Sequence, residues 1–337
     1  MRKSIITFII AGIAFAVIFS NFMKKEGTDK SDVKAEEAVL FGDSIFAFYR
    51  GENSVAGNME TILQKNVFDA SLGGTTLSYT DRDGRLDTSG DAYSLAALTR
   101  GYIAGDFRYQ KNAYNSSGLN ELSKGEYLEQ IDKIEACDIS RAEVIIAEHM
   151  LNDYQEAVPI EAGSDLYNEY SYKGALRASI KRLKETAPGA RIILAAPPLT
   201  WYHAEDVLGD AEIAESAGKT DGKTDGKTDG KTDGKAAGKT TYKEAEGYIV
   251  ETEYGDMISS EHMDFGGGNI NDYKAAQRAV AEELGLEWID LAQAYDNSKP
   301  DDIFMNTCEG IHPNEVTTKK IAIYISEYLK SSPEKDQ

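Results

Sequence analysis

Cysteine is almost absent. Cys137 and Cys308 are the only two in 337 residues, which excludes a disulfide-built scaffold and any zinc site made from cysteine pairs. A single disulfide and two inert thiols both fit that count. Histidine is scarce too: the chain has four and no HExxH spacing, so no metalloprotease-type zinc site is encoded. No Walker-type glycine loop occurs either, which removes a common phosphate cradle. Positive charge is in deficit, with 36 Lys and Arg against 57 Asp and Glu, a formal net charge of −21. Long-range repulsion would oppose encounter with nucleic acid or anionic lipid, and a neutral or cationic partner fits better.

One long hydrophobic run is present, at the amino terminus. Arg2 and Lys3 precede an apolar stretch from Ile5 to Phe19 that continues through Ser20 and Asn21 to Met23. That is about 19 residues, enough for a helix at 1.5 Å per residue to cross a hydrocarbon core of roughly 30 Å. Asn21, Phe22, Met23 and Lys24 follow where a cleavage site would want small residues. Residues 1–25 are therefore expected to be an uncleaved membrane anchor with the main domain extracytoplasmic, the protein being secreted if the segment is cleaved. Residues 26–36 are polar and suit a tether. Residues 37–331 form one expected domain of roughly 270 residues once its insert is subtracted, and 332–337 a polar tail. The insert, residues 216–241, contains four tandem Lys-Thr-Asp-Gly units from Lys219 to Gly234. With no large apolar side chain in the repeat, it cannot bury enough surface to offset ordering and reads as a surface loop.

Between these stretches, short β-rich runs alternate with amphipathic helical ones. The strand candidates are Ala38 to Phe41, Val67 to Ser71, Val144 to Glu148, Arg191 to Ala196 and Trp288 to Leu291. Most are continuous apolar runs, as expected of parallel strands covered on both faces. The helical candidates are Leu122 to Glu135, Tyr167 to Glu185, Tyr273 to Leu284 and Glu315 to Leu329. The expected fold class is α/β: a three-layer α/β/α domain around a doubly wound, mainly parallel five-stranded sheet. In such a sheet the ligand crevice lies outside the carboxyl ends of the strands.

Four blocks fall at strand or loop ends. Gly42-Asp43-Ser44 follows the first strand, and Gly73-Gly74-Thr75 the second. Met150-Leu151-Asn152-Asp153 follows the third, and Glu309-Gly310-Ile311-His312-Pro313 precedes the last helix. In this order, from about Ala38 to Tyr328, they resemble the SGNH (GDSL-type) hydrolase superfamily, with its flavodoxin-like fold. The resemblance implies a serine esterase in which Ser44 is the nucleophile, His312 the base and Glu309 the acid. It also implies an oxyanion hole made by the backbone N–H of Ser44, the backbone N–H of Gly74 and the side-chain amide of Asn152. Asp43 is expected to buttress the nucleophile turn and Asp153 the asparagine loop. No cofactor and no metal are called for.

Two positions depart from the family pattern. Met150 replaces a glycine, which would strain the loop if positive φ were needed there. Glu309 replaces an aspartate, a change that triads on other folds accommodate. His149, His203 and His262 lack a motif and read as surface or packing residues. Trp201-Tyr202 reads equally as a wall of the site or as packing, and Gly266-Gly267-Gly268 as a mobile rim or a linker. The expected substrate is a small acyl ester or an acylated glycan, such as O-acetylated carbohydrate or cell-wall polymer. The alternatives are an O-acyltransferase using the same serine and a non-catalytic glycan-binding module on the same fold.

Overall fold

A computed structural model describes residues 37–81, 86, 89–116, 125–161, 163–208, 248–252, 255–295, 302 and 305–332. The expected anchor (1–25), tether (26–36) and repeat insert (216–241) lie outside the described residues, as does the expected tail beyond residue 332. Among the described residues no helix is long and apolar enough to cross a membrane.

The strands are β1 (Ala38–Gly42), β2 (Val67–Asp69), β3 (Val144–Glu148), β4 (Arg191–Ala196), β5 (Trp201–His203), β6 (Val250–Thr252), β7 (Gly255–Ser259) and β8 (Glu287–Asp290). The helices are α1 (Ser44–Ala47), α2 (Val55–Leu63), α3 (Leu95–Ala104), α4 (Arg108–Ser116), α5 (Glu126–Ala136), α6 (Leu151–Gln155), α7 (Tyr172–Thr186), α8 (Ala204–Leu208), α9 (Ile270–Leu284) and α10 (Glu315–Ser331).

The main sheet has the order β2-β1-β3-β4-β8, and every pairing in it is parallel. Val39, Leu40, Phe41, Ile145, Ile146, Ile193 and Leu194 are fully buried, which is why these strands read as unbroken apolar runs. The chain leaves β1 for β2 in one direction and then runs from β3 to β4 to β8 in the other. With right-handed crossovers this puts helices on both faces. Accordingly α2 packs against α10, while α7 packs against both α3 and α9. The reversal falls between β1 and β3, and in open α/β sheets ligands bind at such a point, outside the carboxyl ends of the strands.

Helix boundaries follow local chemistry. The helix expected from Tyr167 begins at Tyr172, because Asn168 Oδ1 accepts the Tyr170 N–H at 3.1 Å and closes a turn instead. The helix expected from Tyr273 begins at Ile270, where Asn269 and Asp272 form a reciprocal capping box. Asn314 caps α10 by accepting the Thr317 N–H at 3.0 Å.

A second sheet, β5-β7-β6, is antiparallel and has no counterpart in the sequence reading, since two of its strands are three residues long. Trp201 and Met257 pack into a satellite cluster there, so Trp201 is a packing residue. Gly266-Gly267-Gly268 forms a packed turn rather than a mobile rim: Asp264 Oδ1 accepts the N–H groups of Gly266 and Gly268, at 2.6 and 2.9 Å. Any side chain on Gly267 would lie 2.2 Å from Tyr273 Oη.

Candidate active site

The nucleophile turn is pinned between two strands. Asp43 N–H donates to the Glu148 carbonyl at 3.2 Å, and the Gly42 carbonyl accepts the Leu72 N–H at 3.0 Å. Gly42 is obligatory by space, since a Cβ there would lie 2.8 Å from Phe46 and 3.0 Å from the Glu148 carboxyl. Asp43 is fully buried and caps α1, with Oδ1 accepting the Ile45 N–H at 2.9 Å. Burial raises its pKa to about 6, against hydrogen bonding that favours the charged form. Ser44 is thereby left half-buried at the start of α1.

Two of the expected oxyanion donors, Gly74 and Asn152, lie on the segments that follow β2 and β3, Asn152 in the first turn of α6. A side chain built on Gly73 would stand 3.8 Å from Ser44 Cβ, which places the second block against the nucleophile. Gly74 has φ +69° with open space around it, so the backbone conformation rather than crowding calls for glycine. Asn152 Nδ2 donates one hydrogen to the Thr75 carbonyl at 2.9 Å, which ties the two loops together and leaves a second N–H on the amide. Asp153 is fully buried, and its carboxylate accepts the Leu77 and Ser78 N–H groups at 2.6 and 3.0 Å. Burial raises its pKa to about 7, opposed by those same donors.

Met150 does not strain this loop. Its φ is −169°, extended backbone open to any residue, and its side chain is fully buried in the main core. His149 is buried as well, with Nε2 3.5 Å from Thr75 Oγ1, and burial lowers its pKa to about 3. It is a neutral packing residue. His203 is half-buried on β5, and His262 is exposed and stacked on Tyr248 at 3.9 Å.

Glu309 and His312, the expected acid and base, share one tight loop. Glu309 Oε1 meets His312 Nδ1 and also accepts the His312 N–H at 3.3 Å, two contacts that fix the orientation of the ring. The loop is closed by a Thr307–Pro313 bridge, by the Cys308 N–H on the His312 carbonyl at 2.9 Å and by the Trp201 N–H on the Gly310 carbonyl at 2.9 Å. Neither Cys137 nor Cys308 is in a disulfide. Cys308 Sγ lies 3.7 Å from Tyr49 Oη, beside this loop.

The structure brings Glu309 and His312 into contact and sets the imidazole against the nucleophile helix. The ring stacks on Phe48, with centroids 4.5 Å apart and planes at 11°. The Phe48 N–H donates to the Ser44 carbonyl at 3.0 Å, so one helical turn links the stacking ring to the serine. Ser44 Oγ and His312 Nε2 are not hydrogen-bonded among the described residues. Catalytic contacts of this kind are often open until substrate binds.

Sequence reasoning missed Phe48, although its i+4 spacing from Ser44 is a readable signal. It also missed Tyr127, whose hydroxyl donates to the Gly73 carbonyl. Arg50 went unnoticed too; it bonds Asp69 at 2.8 Å and the Ser71 carbonyl at 2.9 Å and so holds the end of β2. No group of three or more His, Cys, Asp or Glu among the described residues is arranged to hold a metal ion.

No family model and no curated protein matches the sequence. Solved structures do resemble it in fold. One aligns with a TM-score of 0.51 at 15% identity, covering 88% of this chain and 97% of its own. A protein from Lactobacillus plantarum aligns at 0.50 and 13% identity, covering 90% and 100%. A possible lipase from Chitinophaga pinensis aligns at 0.46 and 12% identity, covering 87% and 97%. The parallel sheet, its strand order and its flanking helices give this chain the flavodoxin-like three-layer fold on which SGNH hydrolases are built.

Proposed function

We propose that this chain is a serine esterase of the SGNH (GDSL-type) superfamily. One observation carries the reading. At the reversal between β1 and β3, Ser44 sits beside the Gly73-Gly74 loop, with Asn152 bonded to that loop and the Glu309–His312 pair stacked through Phe48 on the helix that Ser44 begins.

In this mechanism Ser44 Oγ attacks the carbonyl carbon of an ester while His312 Nε2 takes its proton. Glu309 orients the ring and stabilises the imidazolium. Charge gathers on the carbonyl oxygen, where the N–H groups of Ser44 and Gly74 and the Asn152 amide stabilise it. Collapse of the tetrahedral intermediate expels the alcohol, protonated by His312, and leaves an acyl-serine. Water deprotonated by His312 then releases the acid and restores Ser44.

The substrate class proposed is a small acyl ester carried on a neutral glycan or cell-wall polymer. A chain of net charge −21 disfavours polyanions, and the amino-terminal apolar run supports an extracytoplasmic domain held at the cell membrane. The open Ser44–His312 contact also favours a second reading, a glycan-binding module without turnover. Both are tested on the domain from Glu36 onwards with p-nitrophenyl acetate and a serine-directed phosphonate. Hydrolysis and covalent labelling are expected, both lost in Ser44→Ala. Hydrolysis that survives the substitution would sink the mechanism, whereas a folded but inert wild type would favour the binding module.

A further inference from the structure

Two carboxyl groups lie buried directly behind the candidate nucleophile. Asp43 and Glu148 are both 0% exposed. They sit at the ends of neighbouring strands, in a register that pairs Gly42 with Glu148, and Glu148 Oε2 accepts the Asp43 N–H at 3.3 Å. Among the described residues neither forms an ion pair with Lys or Arg. Two carboxylates in contact at that depth cannot both be ionised, because desolvation and mutual repulsion oppose the second charge.

The pattern of unsatisfied atoms agrees. Asp43 Oδ2 and Glu148 Oε1, one oxygen from each group, are buried without a partner. Such a pattern is expected where the missing element is a hydrogen carried by one carboxyl for the other. Donors decide which group carries it. Asp43 Oδ1 accepts the Ile45 N–H at 2.9 Å, whereas Glu148 Oε2 has only the longer contact to the Asp43 N–H at 3.3 Å.

The surroundings supply no competing cation. Tyr172 on α7 and Tyr295 after β8 face Glu148 as neutral hydroxyls, and His149 next to it is held neutral. The one imidazole close enough to act on Asp43 is His312.

We infer that Glu148 is a positioning residue: as a neutral carboxylic acid it donates a hydrogen bond to the Asp43 carboxylate and locks the nucleophile turn to β3. Burial pushes the Glu148 carboxyl well above the usual carboxylate range and Asp43 only to about 6, in the same sense. Its consequence for catalysis rests on the serine-esterase reading. The lock holds Ser44 in register with the strand that leads to Asn152, so nucleophile and oxyanion donor move as one body. It also leaves a single buried negative charge, which complements the His312 imidazolium. A second charge there would oppose the one building on the substrate oxygen.

The test compares wild type, Glu148→Gln and Glu148→Met. The infrared difference spectrum, wild type minus Glu148→Gln, at pH 7 should contain the carbonyl stretch of a buried carboxylic acid, since the contribution of Asp153, raised to about 7, is common to both proteins and cancels. This readout needs no turnover. In hydrolysis of p-nitrophenyl acetate, Glu148→Met keeps the volume but leaves Asp43 without its donor, and kcat should fall roughly tenfold or more with KM little changed. Glu148→Gln, whose amide donates from the same place, should recover most of that loss. Absence of a carboxylic-acid band from that difference spectrum, or a wild-type kcat in Glu148→Met, overturns the assignment. Should Glu148→Met fail to fold, the band lost between wild type and Glu148→Gln still decides. A wild type that shows the band but hydrolyses no ester keeps the shared proton and removes the esterase reading instead.

Discussion

Replacing Gly310 by alanine perturbs the base loop without touching a reacting group. Gly310 has φ +91°, and a Cβ built there would lie 2.5 Å from the Trp201 carbonyl oxygen and 3.3 Å from Met257 Cε. The first neighbour is backbone, so it cannot swing aside. Gly310 N–H also donates to Thr307 Oγ1 at 2.9 Å, and its carbonyl accepts the Trp201 N–H at 2.9 Å. Holding alanine in that conformation costs about 1–3 kcal/mol, and relieving the overlap about 1–3 kcal/mol more. At roughly 2–4 °C per kcal/mol for a domain of this size, those about 2–6 kcal/mol should lower the melting temperature by roughly 4–24 °C. Any relief moves the peptide between Glu309 and His312, and a shift of about 1 Å in a positioned group can cost on the order of 10² in rate. The control is Gly189→Ala, where a Cβ meets nothing within 4 Å and φ is ordinary. Thermal melts and ester hydrolysis of the two variants give the comparison. A Gly310→Ala protein that melts with the Gly189→Ala control and keeps wild-type kcat would refute the reasoning.

Three further outcomes are expected. Asn152→Ala should lower kcat by roughly 10²- to 10³-fold while binding of a substrate analogue changes little; a wild-type kcat would remove Asn152 from the oxyanion hole. Met150→Ala should destabilise the fold by about 2–5 kcal/mol in urea titrations without raising activity, because Met150 is fully buried in the main core. Gain of turnover would show that methionine strains the loop after all. Stability should also depend on pH with an unusual sign. Burial raises Asp43 to about 6, Asp153 to about 7 and Glu148 further, so from about pH 4.5 the folded chain keeps protons that the unfolded chain releases. His149, lowered to about 3, acts the other way only below the ordinary histidine pKa. Three raised carboxyls outweigh one lowered imidazole, and stability falls as pH rises from about 4.5 to about 7. Melts at pH 5 and pH 7.5 check this, and a higher melting temperature at pH 7.5 contradicts it.

The main sheet was legible because each of its strands carries a local signature. Ala38 to Phe41, Val144 to Glu148 and Arg191 to Ala196 are apolar without alternation, which marks strands covered on both faces. The small sheet was not legible, since strands of three residues such as Trp201–His203 and Val250–Thr252 are too short for periodicity to show. Gly42-Asp43-Ser44 and Glu309 to His312 stood out as blocks because spacing within a loop is a local property. Contacts between blocks left no such trace. The stacking of Phe48 on His312, the Tyr127 hydroxyl on the Gly73 carbonyl and the Arg50 clamp on Asp69 join segments far apart in the chain.

By itself the sequence determined the order of the blocks, the α/β alternation and the turn chemistry that frames Ser44 and His312. Hydrogen-bonding and burial preferences of neighbouring residues are enough for those. Only the tertiary structure decided that Met150 sits without positive φ, that His149 is neutral packing and that Asp43 and Glu148 share one buried, cation-free space. Burial depth and the identity of non-local neighbours set those properties, and they exist only once the sheet has brought the ends of β1, β2 and β3 together.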